Sequence, residues 1–212
     1  MKKGITKILS ACVFAFVVFL AAGTQSKAAV NMGVKQTGAG SSYVDLAWDA
    51  QLGAGHYHTQ FSQDGKNWID MDNSSSPSES VYNLTQGASY YARVVAYKGS
   101  HYTGTHVMIG VSETAIVSTK PPEVSGLTQT AAGVNSVSMS WNASAGAASY
   151  VIYGYINYNW TQIGTSATNS ATITGVAATT STRFSVAAVK NVTGGTVTGD
   201  QCSGVEMKAI PI

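Results

Sequence analysis

The chain has 212 residues, of which only 10% are charged, with 22 glycines, two cysteines and a formal net charge of +2. That length holds one or two domains. No run of lysine or arginine marks a nucleic-acid or anionic-membrane surface, and two cysteines exclude a disulfide-stapled scaffold.

The first element is for export. Met1 to Lys7 is basic, Ile8 to Gly23 is apolar and uncharged, and Ser26 and Ala28 stand at the positions a signal peptidase reads. Residues 1–28 therefore read as a secretory signal cut after Ala28. The apolar run is shorter than the roughly 20 residues a membrane span needs, which speaks against an uncleaved anchor. Leu9-Ser10-Ala11-Cys12 resembles a lipoprotein cleavage box, but most of the apolar run lies after Cys12 rather than before it. The short lysine-rich start resembles bacterial export signals. The expected location is outside the cell, free or held at its surface. Lys2, Lys3, Lys7 and Lys27 leave with the signal, so eight bases face ten acids and the mature net charge is −2. Cys12 leaves too. Cys202 is then alone, expected as a half-buried small hydrophobe, with an intermolecular disulfide as the alternative.

The mature chain is written in strands. Val44, Leu46 and Trp48 alternate with Tyr43, Asp45 and Ala47, the period of a sheet packed on one face. Tyr57 to Phe61 follows, and then Asp64-Gly65, a hairpin signal ahead of Trp68. Ser74 to Ser78, with Pro77, reads as a loop. Leu84 to Lys98 holds the next long strand. Lys120-Pro121-Pro122-Glu123 reads as a linker in which two prolines fix φ and restrict the angle between flanking units.

The pattern then starts again. Val137-Ser138-Met139-Ser140-Trp141-Asn142-Ala143 repeats Val44-Asp45-Leu46-Ala47-Trp48-Asp49-Ala50 at an offset of 93 residues, and Tyr150 repeats Tyr57. Val176 through Val186 to Lys190 repeats Leu84 through Val94 to Lys98 at an offset of 92. A repeat of this length suits a small domain rather than a solenoid unit. The expectation is an all-β chain with a first module over 29–119, a linker over 120–123 and a second module over 124–212.

Leu84-Thr85-Gln86-Gly87-Ala88-Ser89-Tyr90 resembles the leucine–proline–glycine–threonine–x–tyrosine signature of fibronectin type III domains. Leu84, Gly87 and Tyr90 fall on its Leu, Gly and Tyr, and Gln86 replaces its proline. The resemblance implies two tandem immunoglobulin-like β-sandwiches of seven strands each, a fold that commonly mediates contacts. It also implies a tyrosine corner at Tyr90, whose hydroxyl ties back to the backbone. In the second copy Val176 and Thr182 replace Leu84 and Tyr90, so that tie should be missing. Large Tyr90 with small Ala92 becomes small Thr182 with large Phe184, which keeps core volume.

Signatures of catalysis do not appear. No nucleophile elbow, zinc-protease helix, C-x-x-C pair, dinucleotide fingerprint or phosphate loop occurs, and no arginine–glycine–aspartate tripeptide. Asp70 and Asp72 are the only close acids, and they read as a solvated loop rather than the larger oxygen set of a calcium site. The four histidines, His56, His58, His101 and His106, all fall in the first module. With Tyr57 inward, His56 and His58 share the outer face of one strand. His101 would join them from a loop at the same pole. Such a group could hold zinc or a similar metal; the alternative is exposed polar residues on a sheet face. The same face is expected to show Tyr91, Arg93, Val95 and Tyr97, and in the second module Tyr153 and Tyr155, with Tyr158 and Trp160 in or near the next turn. Flat rings beside arginine suit contact surfaces, unless neighbouring strands cover them.

Three functions fit. The first is a secreted, non-catalytic binding or spacer protein that contacts an extracellular protein. The second is a carbohydrate-binding accessory protein that uses Tyr153, Tyr155 and Trp160 on cell-surface polysaccharide. The third, weakest, is a metal-assisted enzyme.

Overall fold

The computed structural model describes residues 29–99, 106–178 and 181–210. The expected signal and His101 lie outside them. The described residues contain strands and no helix.

Among the described residues the first half holds nine strands. They are β1 (Ala29–Val30), β2 (Lys35–Ala39), β3 (Val44–Ala47), β4 (His56–Ser62), β5 (Ile69–Ser74), β6 (Ser78–Val81), β7 (Ser89–Lys98), β8 (Val107–Ser112) and β9 (Ala115–Ser118). The second half holds β10 (Thr128–Gly133), β11 (Ser136–Ser140), β12 (Ser149–Ile156), β13 (Asn159–Ser166), β14 (Ser170–Thr174), β15 (Thr182–Val192), β16 (Gly195–Thr198) and β17 (Val205–Met207).

Each half is a sandwich of two sheets. In the first, β2-β3-β6 faces β5-β4-β7-β8, with β9 continuing β8 along β7. In the second, β10-β11-β14 faces β13-β12-β15-β16, with β17 continuing β16 along β15. Counting each interrupted last strand once gives the seven strands that the fibronectin type III resemblance implies. The first sandwich adds β1, parallel to β8. Asp70 and Asp72 lie on β5, not in a loop, because Asp70 pairs with Gln60 and Asp72 with Thr59.

The cores follow the period-two pattern. Val44, Leu46 and Trp48 pack with Tyr57, Phe61, Val94 and Val117; Val137, Met139 and Trp141 pack with Tyr150, Ile152, Phe184 and Val186. Each tryptophan meets its tyrosine edge-on, at 5.4 Å for Trp48–Tyr57 and 5.3 Å for Trp141–Tyr150. Both tyrosine hydroxyls accept a backbone N–H, from Gln51 and from Ser144, at 3.0 Å. Aromatic payload and one satisfied polar tip thus recur in both units.

The tyrosine corner is present in the first sandwich, where the Tyr90 hydroxyl accepts the Thr85 N–H at 3.0 Å, and among the described residues the second sandwich has no equivalent. The volume exchange runs further than the Tyr90/Thr182 pair. Phe61 lies opposite Ala92, whereas Gly154 lies opposite Phe184. The same space is filled from one strand in the first unit and from its neighbour in the second.

Cys202 is buried at 7% exposure, and its thiol accepts the Val186 N–H at 3.2 Å. In the first sandwich the Ser112 hydroxyl accepts the Val94 N–H at 2.8 Å. Val94 and Val186 are repeat partners, so a serine and a cysteine do one job where the last strand breaks.

Candidate functional site: the outer sheet faces

The outer face of the larger sheet in each sandwich carries the same arrangement. Trp68, just before β5, and Trp160, on β13, occupy equivalent places: Ile69 pairs with Phe61 as Thr161 pairs with Gly154. The chain has only two arginines. One lies over each of these rings, Arg93 at 4.0 Å from the Trp68 centroid and Arg183 at 6.0 Å from the Trp160 centroid. A guanidinium over an indole is favourable by about 0.5–2 kcal/mol. The arginines reach their rings from different places on the strand. Arg183 is the repeat partner of Tyr91, two residues before Arg93.

In the first module Arg93 is held from a second side. Its Nε donates to Gln60 Oε1 at 2.8 Å, and Gln60 Nε2 donates to Asp70 Oδ1 at 2.7 Å. Burial lowers the Arg93 pKa, with the nearby Asp70 and Tyr97 opposing that shift. Tyr91 is 39% exposed beside this pair. In the second module Tyr155 lies opposite Trp160, with ring centroids 5.3 Å apart. Tyr158 projects from the β12–β13 turn at 89% exposure, and Asn157 and Tyr158 both have positive φ, 49° and 64°, as a tight hairpin turn requires. Tyr153 is half-buried. Trp160 is the second residue of β13, next to that turn.

Part of the expected face is covered. Val95 is 2% exposed, not open. His56 is 4% exposed because Tyr97 stacks on it, with centroids 5.2 Å apart and planes 9° apart. Burial raises the Tyr97 pKa, helped by Asp70 and opposed by Arg93. His56 Nδ1 lies 2.9 Å from the Gly99 carbonyl oxygen and so donates to it. His58 and His106 pack around the same ring, with His58–Tyr97 at 4.9 Å and Tyr97–His106 at 5.1 Å. The reading of these histidines as exposed polar residues therefore fails at His56. Among the described residues no three His, Cys, Asp or Glu side chains are placed to hold a metal ion.

The period-two rule placed Tyr91, Arg93, Tyr97, Tyr153 and Tyr155 on the outer faces. It missed Trp68. The signal was available: Trp68 and Trp160 differ by the same 92 residues that relate the following strands.

No family model and no curated protein matches the chain. Among solved structures, the FN1–FN3 domains of chicken CNTN1 are 14% identical, with 86% of this chain and 68% of that one covered and a TM-score of 0.47. A two-domain fibronectin type III segment of chicken tenascin is 17% identical, with 82% and 97% covered and a TM-score of 0.42.

Proposed function

We propose that this is a secreted, non-catalytic binding or spacer protein that mediates extracellular protein contacts or adhesion through the outer sheet faces of its two modules. The observation that carries this reading is the duplicated pair of Trp68 with Arg93 and Trp160 with Arg183. Both arginines of the chain stand over the only two tryptophans outside the cores. Tryptophan, tyrosine and arginine are the residues that dominate protein contact patches. Contact needs a rigid surface and no reacting group, and two sandwiches supply one.

The test is capture from whole-cell extract by residues 29–212, compared with the double variant Trp68→Ala/Trp160→Ala. A partner retained saturably by the parent and lost by the variant supports the reading. Equal capture by both removes the faces as its basis.

A second reading rests on Tyr155 beside Trp160, with Tyr158 projecting from the adjoining turn. Adjacent rings on a sheet edge suit stacking on sugar faces. Retention on protease-treated, insoluble wall polysaccharide, abolished when Tyr153, Tyr155 and Trp160 become alanine, would establish this reading in place of a protein partner.

A further inference from the structure

The junction between the modules holds a cation that nothing in the contact reading requires. Lys190, at the end of β15, is 5% exposed. Its Nζ donates to the Gly87 carbonyl oxygen in the other module, with the Ser89 hydroxyl at 3.5 Å. A buried ammonium without hydrogen-bond partners would be costly, and a carbonyl at close range offsets much of that cost.

Gly87 suits the role. Its φ is +69°, and a Cβ there would lie 2.7 Å from Pro122 Cδ, so the loop sits against the linker with no side chain between them. Two more contacts flank Lys190. Thr193, in the β15–β16 turn, donates its N–H to the Ile116 carbonyl at 2.8 Å and accepts the Ile116 N–H through its hydroxyl at 2.7 Å. Lys120, the first residue of the linker, meets Asp200 of the second module at 2.7 Å. A hydrogen-bonded cation, a reciprocal pair of hydrogen bonds and an ion pair surround two prolines that are already stiff.

The repeat supplies the comparison. Lys98 is the partner of Lys190 in the first module, and it is exposed at the end of β7. The same residue is a surface lysine in the first module and a buried one in the second, where the Gly87 loop of the first module lies against it.

We propose that Lys190 is a latch. It closes the junction so that the two modules form one rigid unit and their outer faces are presented at a single fixed spacing. For a partner that carries the recognised group twice, a fixed spacing raises the effective concentration of the second contact, whereas a loose hinge spreads it over many orientations.

The experiment measures an inter-module distance distribution by double electron–electron resonance. Spin labels are placed at Leu52→Cys and Tyr158→Cys, which are 95% and 89% exposed. The native thiol is removed by Cys202→Ser, the residue that stands at position 112 in the first module. The latch predicts one narrow distribution for the parent. Lys190→Glu, which sets a carboxylate against the Gly87 carbonyl, should shift it or broaden it about twofold or more. Lys190→Ala gives the same direction without new charge. Lys98→Glu is the control and should leave the distribution as in the parent. A broad distribution in the parent, or unchanged mean and width in both Lys190 variants, overturns the latch. The capture experiment above is independent: single-module binding survives a failed latch, and the latch survives a failed capture.

Discussion

The exchange of Phe61 opposite Ala92 for Gly154 opposite Phe184 makes a strong prediction about the second core. Phe184 is 1% exposed. Phe184→Ala removes most of a buried ring and should cost about 3–5 kcal/mol, a large share of the roughly 5–15 kcal/mol that holds a domain folded. Gly154→Phe alone adds a ring to a filled space. A Cβ at Gly154 already comes within 3.1 Å of Ile163 Cδ1, and overpacking should cost about 1–3 kcal/mol. The singles together reach about 4–8 kcal/mol if they act independently. In the double variant the new ring enters the space the old one left, as Phe61 does in the first module. The total should then fall to about 1–3 kcal/mol, a coupling of about 1 kcal/mol or more. Urea unfolding, followed by amide resonances assigned to each module, reads the second module without relying on a single two-state transition. Additivity within about 0.5 kcal/mol would refute the reasoning, because the two positions would then not share one space.

Three further outcomes follow from particular contacts. Tyr90→Phe removes the acceptor of the Thr85 N–H and should lower first-module stability by about 0.5–1.5 kcal/mol, seen as a shifted urea midpoint of that module's amide resonances. Cys202→Ser keeps an acceptor for the Val186 N–H and should be tolerated, whereas Cys202→Ala leaves that N–H buried without its partner and should cost about 1–3 kcal/mol; thermal denaturation of both variants decides it. Asp64 accepts the Asn67 and Lys66 N–H groups, the Ser62 hydroxyl and the Asn67 side-chain amide, and these, in that order, hold its carboxyl far below the usual carboxylate range. A depressed folded pKa stabilises above the unfolded value, near 4, and that stability is lost as pH falls through the folded value. The gap in melting temperature between the parent and Asp64→Asn should be full at pH 6 and shrink steadily below pH 4; a gap independent of pH would count against the turn.

The sequence alone determined the strands, because burial on one face of a sheet imposes period two and the chain writes it plainly around Trp48 and Trp141. It determined the duplication, since inward tryptophans and their tyrosines recur at a near-constant offset. It also determined the absence of a corner at Thr182, which has no ring to carry a hydroxyl across. Only the tertiary structure decided what lies beside what. Trp68 and Arg93 are 25 residues apart in the chain and meet because β5 and β7 flank β4 on either side, so the arginine side chain reaches across that one strand past Gln60. His56 has the sequence of an outward residue, yet it is buried, because a ring from the neighbouring strand closes over it. Lys98 and Lys190 are the same letter at the same place in the repeat. One is solvated and the other buried, because an outward position says nothing of a second domain packed against it.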